Sequence, residues 1–185
     1  MGYGDIMRVQ TSGASMKTAG ADGRTAGGVQ ASGEMAKHDL ACMRTYKTII
    51  GNVARRHDVD PALIAAIISR ETRGGADISG NNGWCRRGVG FGLMQVDKDA
   101  HKSLRGAWNS ETHLDQATGI LVDIIKEVQR DRPSWSREKQ LKGAIAYYNM
   151  GSNVLNYENV DYLTTGNDYS SDVVARAQFY KRNGF

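Results

Sequence analysis

The chain has 185 residues, and 24 lysines and arginines against 20 aspartates and glutamates give it a net charge of +4 with neutral histidines. Hydrophobic residues make up 40% and charged residues 24%, which is typical of a globular protein and excludes a collagen-like or disordered chain. A chain of this length buries roughly 70% of its unfolded surface, so we expect one domain over residues 1–185. The longest apolar run, residues 62–68, falls far short of the ~20 residues that cross a bilayer, so no membrane insertion is expected.

No secretory signal peptide is visible at the N-terminus. Residues 1–20 contain Asp5, Arg8 and Lys17 and lack an apolar stretch. We therefore expect a mature form, export by a route that needs no signal peptide, or a cytoplasmic pool. Cys42 and Cys85 fit no zinc spacing, and we expect both to be free thiols.

The first elements follow from glycine content and apolar spacing. Residues 1–30 are rich in small residues and predict an irregular N-terminal arm, either disordered or extended and packed late. From Met35 to Val53 apolar residues recur at steps of three to five, which predicts an amphipathic helix. Asp60-Pro61 is typical of a helix start, and the run to about Thr72 is apolar on nearly all sides, which predicts a central buried helix.

Three more helices are predicted in the C-terminal half, over residues 110–130, 136–148 and 168–181. Pro133 ends the first, Gly151 supplies a left-handed cap to the second, and Asp168 is the expected N-cap of the third. Residues 75–97 are left as a small irregular or β region. The expected fold class is therefore α+β and predominantly α-helical.

Glu71 is the first candidate for catalysis because it ends the buried helix just before Gly74-Gly75. Burial disfavours the charged carboxylate and raises its pKa, as a general acid near neutral pH requires. The alternative is a helix-end carboxylate that pairs with Arg70 or Arg73 and has no catalytic role.

Asp97 is the second candidate, since it ends the apolar segment that follows the glycine-rich loop. Two carboxylates across one cleft are typical of glycoside hydrolysis, although Asp97 alone is equally a loop or cap residue. Tyr148-Asn149 suits a sugar, because tyrosine offers a ring face and asparagine offers hydrogen bonds; an ordinary helix-end turn is the alternative. The tryptophans serve either as stacking platforms or as core: Trp84, Trp108 and Trp135.

Other chemistries find no support in the sequence. The four histidines show no metal-ligand spacing, and Leu93 replaces the third glycine of a dinucleotide-binding loop. No nucleic-acid recognition motif or dense basic patch is present. The mild positive charge suits an anionic bacterial wall better, because attraction raises the rate of encounter.

Several segments together resemble the goose-type lysozymes over nearly the whole chain: Thr11–Ser15, Ile67–Glu71, Asn82–Trp84, Gly90–Lys98, Gln140–Gly143, Tyr148–Gly151 and Asp168–Gln178. The resemblance implies a lysozyme-like fold with a glycan cleft and no metal or organic cofactor. It implies hydrolysis of the β-1,4 bond between N-acetylmuramic acid and N-acetylglucosamine in peptidoglycan, with inversion at the anomeric carbon.

The resemblance also assigns roles. Glu71 matches the general acid, and Asp97 matches a carboxylate that positions or activates the attacking water. The positions that line the sugar subsites are His101, Tyr148, Asn149 and Tyr169. The implied partners are peptidoglycan, N-acetylglucosamine oligomers and a bacterial protein inhibitor that plugs the cleft. An antibacterial, secreted, monomeric enzyme is expected.

The sequence departs from the family pattern at two kinds of position. Many members carry an acidic residue two positions after the tryptophan of the Asn-Gly-Trp segment, where this chain has Arg86. If Arg86 pointed at Glu71 it would lower the acid's pKa, and Asp77 is a candidate replacement for the missing carboxylate. Avian members have cysteines where this chain has Met16, Gly27 and Asp58, so this chain resembles the cysteine-poor fish members.

Two alternatives to a hydrolase stay open. In a lytic transglycosylase the muramic 6-hydroxyl displaces the bond and leaves a 1,6-anhydro product, which loss of the second carboxylate would favour. In a binding module the same cleft holds peptidoglycan or chitin without turnover, which Arg86 would favour.

Overall fold

The computed structural model describes residues 2–101 and 103–185. Within them, seven α-helices and one two-stranded sheet occur: α1 (Met16–Ala21), α2 (Val29–Thr45), α3 (Lys47–His57), α4 (Pro61–Thr72), β1 (Gly90–Phe91), β2 (Val96–Asp97), α5 (Glu111–Asp131), α6 (Arg137–Met150) and α7 (Tyr169–Arg182). The strands pair antiparallel, with Gly90 opposite Asp97 and Phe91 opposite Val96. The predicted fold class, α+β and mainly helical, is confirmed. No helix in the described ranges combines the length and the apolar character that crossing a membrane requires.

Helix α4 lies at the centre of the core, as its sequence predicts. The Asp60 carboxylate accepts a hydrogen bond from the Ala62 amide, and Pro61 occupies the first helical position. Every residue from Ala62 to Ser69 is buried, and α4 packs mainly against α7. Arg73 then adopts a left-handed conformation with φ of 51°, which ends the helix two residues after Glu71.

The single amphipathic helix predicted from Met35 to Val53 is wrong, because the structure has two helices that meet at Tyr46. The Tyr46 amide donates to the Met43 carbonyl, three residues back, which tightens the end of α2. Helix α2 packs against α7, whereas α3 packs against α5. Apolar spacing does not reveal this break, because both helices turn their apolar residues towards the same core.

The N-terminal arm is more regular than its composition suggests. It contains a 3-10 turn over Ile6–Arg8 and helix α1, whose N-cap Ser15 accepts from the Thr18 amide. The arm lies along α7, where the Gln178 amide donates to the carbonyls of Ile6 and Val9 at 3.0 and 2.9 Å. These bonds fix the arm without a disulfide among the described residues, since Cys42 and Cys85 are both free, as predicted.

Asp168 occupies the N-cap position of α7, as predicted, but its side chain does not cap the helix. Its carboxylate instead accepts from the Ser15 amide at 2.7 Å. Asp161 caps the helix from the preceding loop, accepting from the amides of Ser170 and Ser171 at 2.7 and 2.9 Å. The cap of α6 is also different: Gly151 has φ of 90°, but ψ of 178° places it outside the left-handed helical region.

Candidate active site

Glu71 lies in the last turn of α4 and has one hydroxyl donor among the described residues. The Tyr169 hydroxyl, at the start of α7, donates to Glu71 Oε1 at 2.6 Å. Burial raises the pKa of Glu71 to about 7, against the opposing effects of the Tyr169 hydrogen bond and the Arg70 charge. The carboxyl therefore holds its proton near neutral pH, as the sequence predicts for a general acid.

Neither neighbouring arginine forms an ion pair with Glu71 in the described part of the chain. Arg70 donates to Asp172 at 2.6 Å and to Asp168 at 3.0 Å, and Arg73 lies 3.4 Å from Asp22. The guanidinium of Arg70 also lies 5.3 Å from the centre of the Tyr169 ring. The geometry thus argues against the alternative in which Glu71 is an ordinary helix-end carboxylate neutralised by Arg70 or Arg73.

Tyr148, in α6, contacts the segment between the strands. Its hydroxyl donates to the Met94 carbonyl at 2.7 Å. Burial and the nearby charge of Glu71 raise the pKa of Tyr148 well above its usual value, and the same two effects raise that of Tyr169. Both tyrosines are therefore neutral hydroxyls beside the carboxyl of Glu71.

A cavity of about 350 Å³ contains four of the six predicted site residues in its lining, whereas Glu71 and Tyr169 are not among its lining residues. Asp97, His101, Tyr148 and Asn149 all contribute to its lining. Asp97 is exposed on β2, and its Oδ1 accepts from the amides of Asp99 and Ala100, so the start of the following turn fixes one carboxylate oxygen. Strand β2 and the end of α6 thus bring together residues that are 50 positions apart.

Asn149 has a structural partner as well as a place in the cavity. Its Oδ1 accepts from the Thr165 amide at 3.0 Å, and its Nδ2 donates to the Thr165 hydroxyl at 3.3 Å. These bonds tie the end of α6 to the loop that precedes α7. The orientation of Asn149 is therefore fixed before any sugar binds.

A comparison with known proteins identifies the family of the chain. The family profile described as Lysozyme g matches residues 3–184. The chain belongs to the lysozyme g family. It is 52% identical to lysozyme g of Cyprinus carpio over 184 residues, which cover 99% of this chain and 98% of that one. It is 49% identical to lysozyme g of Gallus gallus, covering 99% and 86%, and 50% identical to that of Epinephelus coioides over the full length of both.

Membership of the lysozyme g family supports a lysozyme function, which is that of a glycoside hydrolase. It confirms the family predicted from the sequence motifs.

Arg86 and Asp77 are the two departures from the lysozyme g pattern that bear on the site. Arg86 is exposed, and the cation that lowers the pKa of Glu71 is Arg70 rather than Arg86. Asp77 lines a different cavity, of about 360 Å³, together with Asp22 and Arg73. The structure therefore places Asp77 in a different cavity from Asp97.

Each of the three tryptophans packs against other residues of this chain. Trp108 packs against Gly75 and Gly83, where an added Cβ would come within 2.8 and 2.1 Å of its side chain, so it fills the loop interior. Trp84 packs on Phe91, with ring centres 4.9 Å apart, and Lys98 lies over its other side at 5.9 Å. Trp135 lies between the cations of Arg132 and Lys139, away from the cavity beside Tyr148.

The sequence analysis missed His113, which is buried in α5 against the segment between β1 and β2. The Met94 amide donates to its Nε2 at 3.1 Å. A signal was present, because a histidine at position 113 falls on the apolar face of α5 beside Leu114 and Ala117. Spacing alone did not distinguish such a histidine from one at the helix surface.

Proposed function

We propose that the chain is an antibacterial muramidase that hydrolyses the β-1,4 bond between N-acetylmuramic acid and N-acetylglucosamine in bacterial peptidoglycan, with Glu71 as the general acid. The observation that carries the proposal is the partly buried Glu71 carboxyl, whose pKa desolvation raises to about 7. A general acid is most effective when its pKa lies near the working pH. The Tyr169 hydroxyl holds Oε1 at 2.6 Å and so fixes the direction in which the carboxyl faces.

The reaction that we propose is a single displacement with inversion. The Glu71 proton passes to the glycosidic oxygen as the bond from that oxygen to the anomeric carbon breaks. A water molecule attacks the anomeric carbon from the opposite side, and Asp97 takes its proton. Inversion requires room for that water between two carboxyl groups, roughly 6.5–9.5 Å. The exposure of Asp97 on β2 supports this role, because the two amides hold only Oδ1 and leave Oδ2 for the water.

Substrate contacts follow from the same cavity. We propose that His101, Tyr148 and Asn149 hold the sugar rings and N-acetyl groups on the Asp97 side, and that Tyr169 contacts the sugar next to Glu71. The net charge of +4 supports attraction to the anionic wall, which would weaken as salt rises. We further propose that the 185 residues act as one secreted domain and that a bacterial inhibitor protein would act by filling this cavity.

Mass spectrometry of the products from purified peptidoglycan tests the reaction type. Hydrolysis should give muropeptides with a reducing end that carry one added water. Proton NMR of freshly released product should show the α-anomer first, because a β bond is inverted. A 1,6-anhydro product without added water would identify a lyase, and bound glycan with no product after long incubation would identify a binding protein.

Asp97 can be tested against a neighbour of the same type. We expect Asp97→Asn to lower the rate of peptidoglycan hydrolysis by roughly 10²-fold, because asparagine cannot take a proton from water. Asp99→Asn is the matched control, since Asp99 is also exposed and lies two residues further along the chain. Initial rates for both variants and the wild type give the comparison. Equal rates for the Asp97 and Asp99 variants would exclude Asp97 as the base.

A further inference from the structure

His113 is a buried histidine for which the proposed reaction has no use. Its side chain is fully inaccessible to solvent, and its Nε2 accepts the Met94 amide hydrogen at 3.1 Å. A ring nitrogen that accepts carries no proton, so the proton of the neutral imidazole lies on Nδ1. That Nδ1 is buried and has no hydrogen-bond partner among the described residues. Burial lowers the pKa of His113 to about 4, so the ring stays neutral from mildly acidic pH upwards.

The imidazole of His113 packs tightly against the turn between β1 and β2. A Cβ added at Gly92 would lie 2.2 Å from His113 Cε1, so the ring touches the backbone at a position where only glycine fits. Gly92 also has φ of 79°, which favours glycine. Phe91 meets the other side of the ring edge-on, with ring centres 5.9 Å apart. The contact therefore fixes the position of the turn as well as satisfying one amide.

The backbone of Met94 connects His113 to Tyr148 through two hydrogen bonds. Its amide is held by His113, and its carbonyl accepts the Tyr148 hydroxyl at 2.7 Å. Tyr148 is close enough to Glu71 for the charge of Glu71 to affect it. Because the one hydroxyl hydrogen of Tyr148 is used by Met94, Tyr169 is left as the hydroxyl donor to Glu71.

We propose that His113 is a positioning residue that holds Met94 so that the Tyr148 hydroxyl donates to the Met94 carbonyl and stays away from the Glu71 carboxyl. The inference rests on the proposed function of Glu71 as the acid. A second hydroxyl donor would stabilise the carboxylate and lower the pKa of Glu71, which weakens it as an acid near neutral pH. The groups that face Glu71 are Arg70 on its own helix, Tyr148 on α6 and Tyr169 on α7.

Two substitutions at His113 separate the hydrogen bond from simple packing. Leucine keeps an apolar side chain but leaves the Met94 amide without an acceptor, whereas glutamine can place its Oε1 near the position of Nε2. We expect His113→Leu to lower the pKa of Glu71, read by ¹³C NMR of its carboxyl, by about one unit, a tenfold change in ionisation. The alkaline limb of the rate profile should move with it. His113→Gln should restore most of both, and an unchanged titration in His113→Leu would overturn the proposal.

A second test introduces His113→Leu into the Tyr148→Phe variant. If His113 acts through the Tyr148 hydroxyl, His113→Leu should cause no further shift of the Glu71 titration once that hydroxyl is absent. An equal shift in both backgrounds would mean that His113 acts by another path. The ¹⁵N spectrum of wild-type His113 is independent of any variant's folding: it should show Nδ1 protonated and Nε2 unprotonated, and the opposite tautomer would exclude the proposal.

These tests separate the inference from the function on which it rests. The carboxyl titration and the tautomer need no activity. Wall lysis that persists when Glu71 is replaced by glutamine would refute the role of Glu71, whatever His113 does. A normal Glu71 titration in His113→Leu, with lysis still dependent on Glu71, would refute only the positioning role.

Discussion

Glu71→Gln should lower the rate of wall lysis by about 10³-fold while the protein stays folded, because proton donation by a general acid contributes roughly 10²–10⁴ in rate. Glutamine has nearly the same shape as glutamate, and its Oε1 can still accept the hydrogen bond that Tyr169 donates to Glu71. It cannot release a proton to the glycosidic oxygen. The measurement is the initial rate of lysis beside a thermal melt of each protein.

The titration of Glu71 also predicts how the thermal stability of the wild type changes with pH. The pKa of Glu71 is about 7 in the folded chain against an ordinary value of 4.5, so the folded state binds the proton more tightly than the unfolded state. The wild type therefore loses stability as pH rises from 4.5 to about 7, and it stays less stable above that range. Glutamine removes this cost, so the melting temperature of the variant relative to that of the wild type should rise between pH 4.5 and pH 7 and change little above that range.

The pH dependence of lysis distinguishes an acid from a residue that only shapes the site. Wild-type activity should fall as pH rises through about 7, where Glu71 loses its proton. The residual activity of Glu71→Gln should lack this alkaline limb. Glu158→Gln is the matched control, because Glu158 is exposed and lies outside the cavity beside Tyr148. Lysis by Glu71→Gln at the wild-type rate would refute the assignment.

Much of the site could be predicted because its signals are local. The partial burial of Glu71 follows from its place just after the fully buried stretch of α4, and its raised pKa follows from that desolvation. The pair Asp60-Pro61 is typical of a helix start, and helix α4 begins at that proline. The sequence motifs around Glu71 and Tyr148 are likewise short, so one chain is enough to identify the family.

The parts that could not be predicted depend on contacts between distant residues. Asp168 has the residue type and position of an N-cap, yet Arg70 and the arm compete for its carboxylate, and Asp161 caps α7 instead. The break at Tyr46 needs knowledge of which helices α2 and α3 pack against. His113 resembles any histidine on an amphipathic helix until the turn that carries Met94 is placed over it.

A network of buried charged side chains links α4 to α7, and the carboxylate of Asp172 is its central member. Asp172 is fully buried and accepts from Arg70 at 2.6 Å, from Arg176 at 3.0 Å and from the Ser32 hydroxyl at 2.7 Å. Burial opposes its ionisation, but the charges of Arg176 and Arg70 hold the pKa of Asp172 below its usual value. Each arginine has a further acidic neighbour: Asp168 for Arg70, and Asp39, 3.8 Å away, for Arg176.

Asp172→Ala should therefore lower the free energy of unfolding by about 3–5 kcal/mol, because removing one partner of a buried ion pair leaves the other charges uncompensated. Urea denaturation at pH 7 measures the change. Asp131→Ala is the control, since Asp131 forms an exposed pair with Arg130 and such pairs contribute about 0–1 kcal/mol.

The stability difference between Asp172→Ala and the wild type should depend on pH. This difference in the free energy of unfolding should narrow as pH falls below 3.8, the ordinary pKa of an aspartate, because the wild type then loses the ionised carboxylate as well. Because Arg70 also packs on the ring of Tyr169, the folded fraction of the variant should lyse walls more slowly than the wild type. A loss of stability no larger than that of Asp131→Ala would mean that Asp168 and Asp39 compensate both arginines without Asp172.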